Sequence, residues 1–171
     1  LVGIDRKLFP EISDVKQVFA PIDVIRKEEN VDLSLYKLVS PIPLEELKAK
    51  LDYFMHSFKD KDVELITKTV IEHFYDKYIT YPGAVRIHHE FGSGILHHSV
   101  KMAEMAEYVA KCYPQVDRDI LVAGALLHDI GKTIEYDYLV APSVTTEGKL
   151  IGHIPVMYAE FKKIVDNLNI K

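Results

Sequence analysis

The stretch Ala123-Gly124-Ala125-Leu126-Leu127-His128-Asp129-Ile130-Gly131-Lys132 decides how this chain is read. Its first half is an apolar run of the kind that buries a helix in a core. Its second half sets out two metal-capable side chains, a residue suited to stopping a helix, and a cation. Adjacent helical residues point about 100° apart, so a His-Asp pair rarely serves one ion from the middle of a helix. At a helix end the geometry loosens, and both can turn to the same point. Imidazole plus carboxylate suits Zn, Mn or Fe, and a carboxylate can also bridge two ions. The competing reading is a polar helix terminus, with Asp129 in a turn, Gly131 as C′ and Lys132 against the negative end of the dipole.

Upstream lies Phe91-Gly92-Ser93-Gly94-Ile95-Leu96-His97-His98-Ser99. Ser93 can cap a helix whose apolar positions are Ile95, Leu96, Val100, Ala103, Ala106, Val109 and Ala110, a close match to the 3.6 period. That helix stops near Tyr113-Pro114, and Asp117 caps a second one running to His128. So short a connection argues for antiparallel neighbours. His98 lies roughly 17 residues before the turn and His128 roughly 13 after it, so both fall about 20–25 Å from it, level on facing helices. His98, His128 and Asp129 are therefore expected to converge. His97 is expected to face solvent, and a satisfied core histidine is the alternative for His98.

These residues resemble the HD-domain metal-dependent phosphohydrolases, whose signature is a His, then a His-Asp pair, then a later Asp. The closer resemblance is to the HD domain of YhaM-type 3′–5′ exoribonucleases. It is carried by Tyr81-Pro82-Gly83-Ala84-Val85, His88-His89-Glu90-Phe91, Tyr113-Pro114, the run from Asp117 to Lys132, and Thr146 through Ile154. It spans roughly residues 40 to 171 in unbroken order. The resemblance implies His98, His128 and Asp129 as metal ligands, Lys132 as a phosphate contact, and His153 as a further ligand or a substrate group. It also implies a downstream His-His-Gly segment, a helix with the last Asp ligand, and an N-terminal OB-fold domain, for which the residues before Pro41 are too few. On this reading the chain, which opens on Leu1, is a fragment truncated at the end of its HD domain, with partial metal occupancy and weak activity by itself.

The chain has 171 residues, of which 48% are hydrophobic, enough for one domain with a real core plus a short appendage. A net charge of −5 argues against a surface that holds duplex nucleic acid unaided. It leaves room for a single strand drawn to a cation-bearing site. The one cysteine, Cys112, excludes an internal disulfide and reads as a helix-end packing residue. No apolar run approaches membrane-spanning length and no signal-like start is visible, so a cytoplasmic protein without a membrane partner is expected. Homo-oligomerisation is left open.

Residues 1–40 mix short extended, β-like runs with charge and read as a leader or the remnant of a preceding domain. Residues 41–171 read as the HD domain, an all-α bundle. Proline at Pro41 and Pro43 opens a helix carrying Leu44, Leu47, Leu51, Phe54 and Phe58. A second helix is expected from about Asp62 to Ile79, with Tyr75, Tyr78 and Tyr81 at the core rim. His89, rather than His88, is placed at the mouth of the site as a phosphate or proton-transfer group, against a reading as surface polarity. Pro142 to Leu150 reads as a loop or short hairpin with Thr145, Thr146 and Gly148 in turns. A last helix starts near Ile154-Pro155, with His153 at the amide-rich end that suits a phosphate oxygen.

The expected function is a metal-dependent phosphodiesterase, a 3′–5′ exoribonuclease acting on single-stranded RNA or DNA ends. One or two divalent ions would serve it, Mn first, with Fe, Zn and Mg as alternatives. Asp129 and Lys132 would carry the chemistry, and Lys132, His89 and His153 would meet substrate. Two rivals share these residues: a nucleotide or nucleoside-monophosphate phosphohydrolase, and a binding or regulatory module on an HD scaffold.

Overall fold

The computed structural model describes residues 39–84, 91–138, 142–168 and 170. The expected leader therefore lies outside the described residues except for Val39 and Ser40. Eight helices and one two-stranded antiparallel hairpin follow among the described residues, an all-α bundle with an open β element. They are α1 (Leu44–His56), α2 (Lys61–His73), α3 (Tyr75–Thr80), α4 (Gly94–Cys112), α5 (Arg118–Leu127), α6 (Lys132–Glu135), β1 (Tyr136–Tyr138), β2 (Pro142–Val144), α7 (Thr146–Leu150) and α8 (His153–Asp166).

The core forms where α4 and α5 lie against each other, with α1, α2 and α3 packed around them. Leu47, Leu51 and Phe54 of α1 are buried, as the periodicity requires, and so is Phe58 just beyond the helix. The same core holds Ile95, Leu96, Val100 and Ala103 from α4, and Val122 and Leu126 from α5. Asp117 caps α5 as its position predicts, accepting the amides of Asp119 and Ile120.

Four local expectations change. The single helix over 62–79 breaks at Phe74, whose φ of −108° and ψ of 9° fall in the bridge region and interrupt the hydrogen-bond ladder. Tyr78 is fully buried rather than at the rim, and its hydroxyl donates to Leu126 O at 2.9 Å, so the phenol closes the last turn of α5. Burial pushes that phenol well above its usual pKa. Ser93 precedes α4 but makes no side-chain cap; it sits in the left-handed region at φ 64° and donates its amide to Thr80 O at 3.0 Å. Cys112 ends α4 exposed rather than packed.

The segment after Lys132 is more ordered than a loop. Tyr136 pairs with Val144 and Tyr138 with Pro142 across the hairpin. Thr145 then caps α7 by accepting the Gly148 amide at 2.9 Å, so residues expected in turns start a helix. Gly148 is required by space: a Cβ there would stand 2.5 Å from Glu135 O.

At the turn end of the α4–α5 hairpin, Arg118 Nε and Nη2 donate to Glu107 Oε2 at 2.8 and 2.6 Å. Buried Asp119 accepts the amides of Lys59 and Asp60 at 2.7 and 2.8 Å, tying α1 and α2 to this corner. Burial alone would raise the Asp119 pKa, but those amides and Arg118 outweigh it and hold the carboxyl below its usual value. A depressed carboxylate stabilises the fold above its unfolded value of about 3.9, and that contribution is lost as pH falls through the folded value. Asp119→Asn should therefore lower the denaturant midpoint at neutral pH, with the difference from wild type closing in acid.

Two glycines give a second prediction. A Cβ at Gly131 would lie 2.3 Å from His153 O, whereas one at Gly124, within α5, meets nothing within 4 Å. Gly131→Ala should destabilise by about 1–3 kcal/mol through forced backbone movement. Gly124→Ala should stabilise by roughly 0.5–1 kcal/mol through helix propensity. Urea unfolding of the two variants beside wild type checks the opposite signs.

Candidate metal centre

The antiparallel hairpin brings its open ends together. His98, in the second turn of α4, and His128, the residue closing α5, meet with their Nε2 atoms 3.2 Å apart. Asp129 follows in the turn between α5 and α6 and is buried. Its Oδ2 lies 3.6 Å from His98 Nε2 and 3.4 Å from His128 Nε2. One ligand atom from each of the three residues falls within 4.8 Å of the other two, the convergence that the residue count predicts.

The tautomer of His128 follows from its surroundings. Its Nδ1 lies 2.9 Å from Ala125 O, and a carbonyl only accepts, so Nδ1 carries the proton. Nε2 then presents its lone pair to the cluster, the arrangement seen in metal-binding imidazoles. Two ring nitrogens and a buried carboxylate facing one small volume demand a positive charge, and this donor set fits a divalent transition ion. His98, His128 and Asp129 would hold it.

In the structure part of that demand is met by Lys132. Its ammonium donates to Asp129 Oδ2 and to Gly83 O, both at 2.8 Å. Lys132 thus reaches into the cluster rather than lying along the end of the helix, and Gly83 anchors it. The other oxygen of Asp129 faces elsewhere: Oδ1 lies 3.7 Å from His153 Nε2. His153, at the start of α8, stands outside the three-residue cluster but against the same carboxylate. Its Nδ1 is 2.9 Å from Glu135 Oε2. Burial, reinforced by the charge of Glu135, by a hydrogen bond to that carboxylate and by the charge of Asp129, pushes the neighbouring Tyr136 phenol up to about 12, so it stays protonated.

His97 is a correction. It is 7% exposed instead of facing solvent. Ser40 Oγ lies 2.9 Å from its Nδ1, and the Phe91 ring is 5.5 Å from its own. The cause is tertiary: Val39 forms a parallel bridge with Gly92, so the chain before α1 covers that side of α4. Gly131 is another correction, since its φ of −61° needs no glycine and the close approach of His153 O does. His88, His89 and Glu90 lie outside the described residues. Neither Glu135 nor the Gly83 carbonyl carries a spacing signal in the sequence that links it to His153 or Lys132.

A helical hairpin that levels a histidine with a His-Asp pair is the scaffold of an HD domain, and residues 95–169 match that family. The chain carries an HD domain with the fold of metal-dependent phosphohydrolases. Its relatives are more particular. It is 39% identical over 142 residues to the 3′–5′ exoribonuclease YhaM of Listeria monocytogenes serotype 4b (strain CLIP80459), covering 83% of this chain and 45% of that protein. It is 36% identical over 149 residues to YhaM of Geobacillus sp. (strain WCH70), covering 87% and 46%, and 36% identical over 146 residues to YhaM of Bacillus subtilis (strain 168), covering 85% and 46%. The chain thus spans less than half the length of these curated relatives. No solved structure matches it.

Metal analysis after equilibration with Mn²⁺ checks the centre. Asp129→Ala and His128→Ala should each lose most of the bound ion. Lys132→Ala should bind Mn²⁺ as well as wild type or better, because it removes an ammonium 2.8 Å from Oδ2 that competes for the same oxygen.

Proposed function

We propose that this HD domain is the catalytic part of a metal-dependent phosphodiesterase that shortens single-stranded RNA or DNA from the 3′ end. The observation that carries the reading is the convergence of His98, His128 and Asp129, within 4.8 Å of one another, in a chain similar over most of its length to YhaM exoribonucleases. Mn²⁺ is the proposed ion. When bound, such an ion supplies Lewis acidity toward water and a phosphoryl oxygen.

The chain's own residues do the rest. His98 and His128 supply neutral nitrogen and Asp129 supplies the negative charge, so the centre keeps net positive charge for a phosphodiester once a divalent ion is present. Lys132 is already placed beside that charge by Gly83 and can neutralise charge growing on a phosphoryl oxygen. His153 flanks Asp129 from its far side, where it can meet substrate or help hold a second ion. Among the described residues no helix is long and apolar enough to cross a membrane.

The test is a 5′-labelled single strand incubated with Mn²⁺ and the protein, both at the present length and extended to the length of its relatives. A ladder of products shortened from the 3′ end, lost in His128→Ala, is expected from the extended protein, and only weakly from the present length. Lys132→Ala should slow turnover about 10²-fold or more while retaining metal. Phosphate release from nucleoside monophosphates, with the strand left intact, would replace this reading with the mononucleotide one.

A further inference from the structure

Glu135 has no part in the proposed chemistry, yet the fold is built tightly around it. It ends α6, its side chain is 14% exposed, and its backbone oxygen accepts the Thr145 amide at 2.9 Å. The backbone of α7 comes so close that a Cβ at Gly148 would stand 2.8 Å from Glu135 Cγ. From the other side, α8 presses its first residue onto Gly131, where a Cβ would strike His153 O. These two close approaches hold Glu135 and His153 against each other although 18 positions separate them.

Glu135 Oε2 is buried without an aligned hydrogen bond, and His153 Nδ1 lies 2.9 Å from it. Leaving a buried carboxylate oxygen without a donor is costly, and a small rotation of the imidazole supplies one. The opposite ring nitrogen, Nε2, looks toward Asp129 Oδ1 at 3.7 Å. The imidazole is therefore held between two carboxylates, one on each nitrogen.

We infer that Glu135 is the positioning residue for His153: it fixes the proton on Nδ1 and so turns the Nε2 lone pair toward Asp129. A carboxylate at 2.9 Å repels a bare ring nitrogen and attracts N–H, so the neutral ring adopts the Nδ1–H form. Without Glu135, Asp129 Oδ1 would draw the proton to Nε2, and the ring would present a donor instead of a lone pair. Glu135 thereby decides whether His153 offers an electron pair or a proton to whatever binds against Asp129. The tautomer assignment stands on geometry alone; its effect on turnover rests on the phosphodiesterase reading.

Long-range ¹H–¹⁵N spectra of ¹⁵N-histidine-labelled protein, with the His153 signals assigned by loss in His153→Ala, test it at a pH where the ring is neutral. Wild type should show His153 as the Nδ1–H tautomer. Glu135→Ala should move it to Nε2–H, and Glu135→Gln, whose amide oxygen still accepts, should retain Nδ1–H. With Mn²⁺ and a labelled strand, Glu135→Ala should lose about 10-fold or more in turnover and Glu135→Gln should recover much of it. An Nε2–H ring in wild type, or a tautomer indifferent to Glu135→Ala, overturns the inference. If Glu135→Ala fails to fold, an Nε2–H ring in the wild type still overturns the inference. Absence of strand shortening by wild type, with the tautomers as expected, would count against the proposed function and leave the role of Glu135 standing.

Discussion

Burying a carboxylate is expensive unless each of its oxygens is given a partner, and Asp129 is the buried carboxylate around which this domain closes. Oδ2 is answered by Lys132 and faced by two imidazoles; Oδ1 is faced by a third. These partners come from α4, the stretch from the end of α5 to the start of α6, and α8, so satisfying one side chain draws three separate stretches of chain to one point. The core of Leu96, Val100, Val122 and Leu126 supplies the favourable burial that makes this convergence affordable.

The same economy of space governs the second half of the domain. The short α6, the hairpin and α7 would be weak elements alone, being too brief to hold themselves by local hydrogen bonds. They are held by contact at backbone distance, which is why glycine occupies positions 131 and 148. Neither position has a positive φ. The glycines act as absences of volume and bring a turn, a short helix and the start of α8 within reach of the site.

Much of the centre was legible in the sequence for a simple reason: helical rise is constant. Counting from the Pro114 turn places His98 and His128 level without knowledge of the fold, whereas the Asp129–Lys132 ion pair forms across the turn between α5 and α6. Packing between distant segments was not legible. His97 is buried because the chain near Val39 covers it, and no property of α4 announces that cover. Phe74 fits the apolar stripe of one continuous helix, yet its backbone leaves helical geometry there. The Glu135–His153 pair depends on a hairpin and two close approaches, none of which leaves a periodic trace.

The level meeting of His98 and His128 has a consequence for how chain length can vary. An extra residue within α4 after His98, or within α5, would turn its helix by about 100° and advance it about 1.5 Å, carrying a ligand off the shared point. An extra residue between Tyr113 and Val116 falls outside both helices, and the bond from Arg118 to Glu107 ties the two together on the helix side of the connection. The connection can therefore lengthen more readily than the two helices, which are held to fixed residue counts between the Arg118–Glu107 pin and the site.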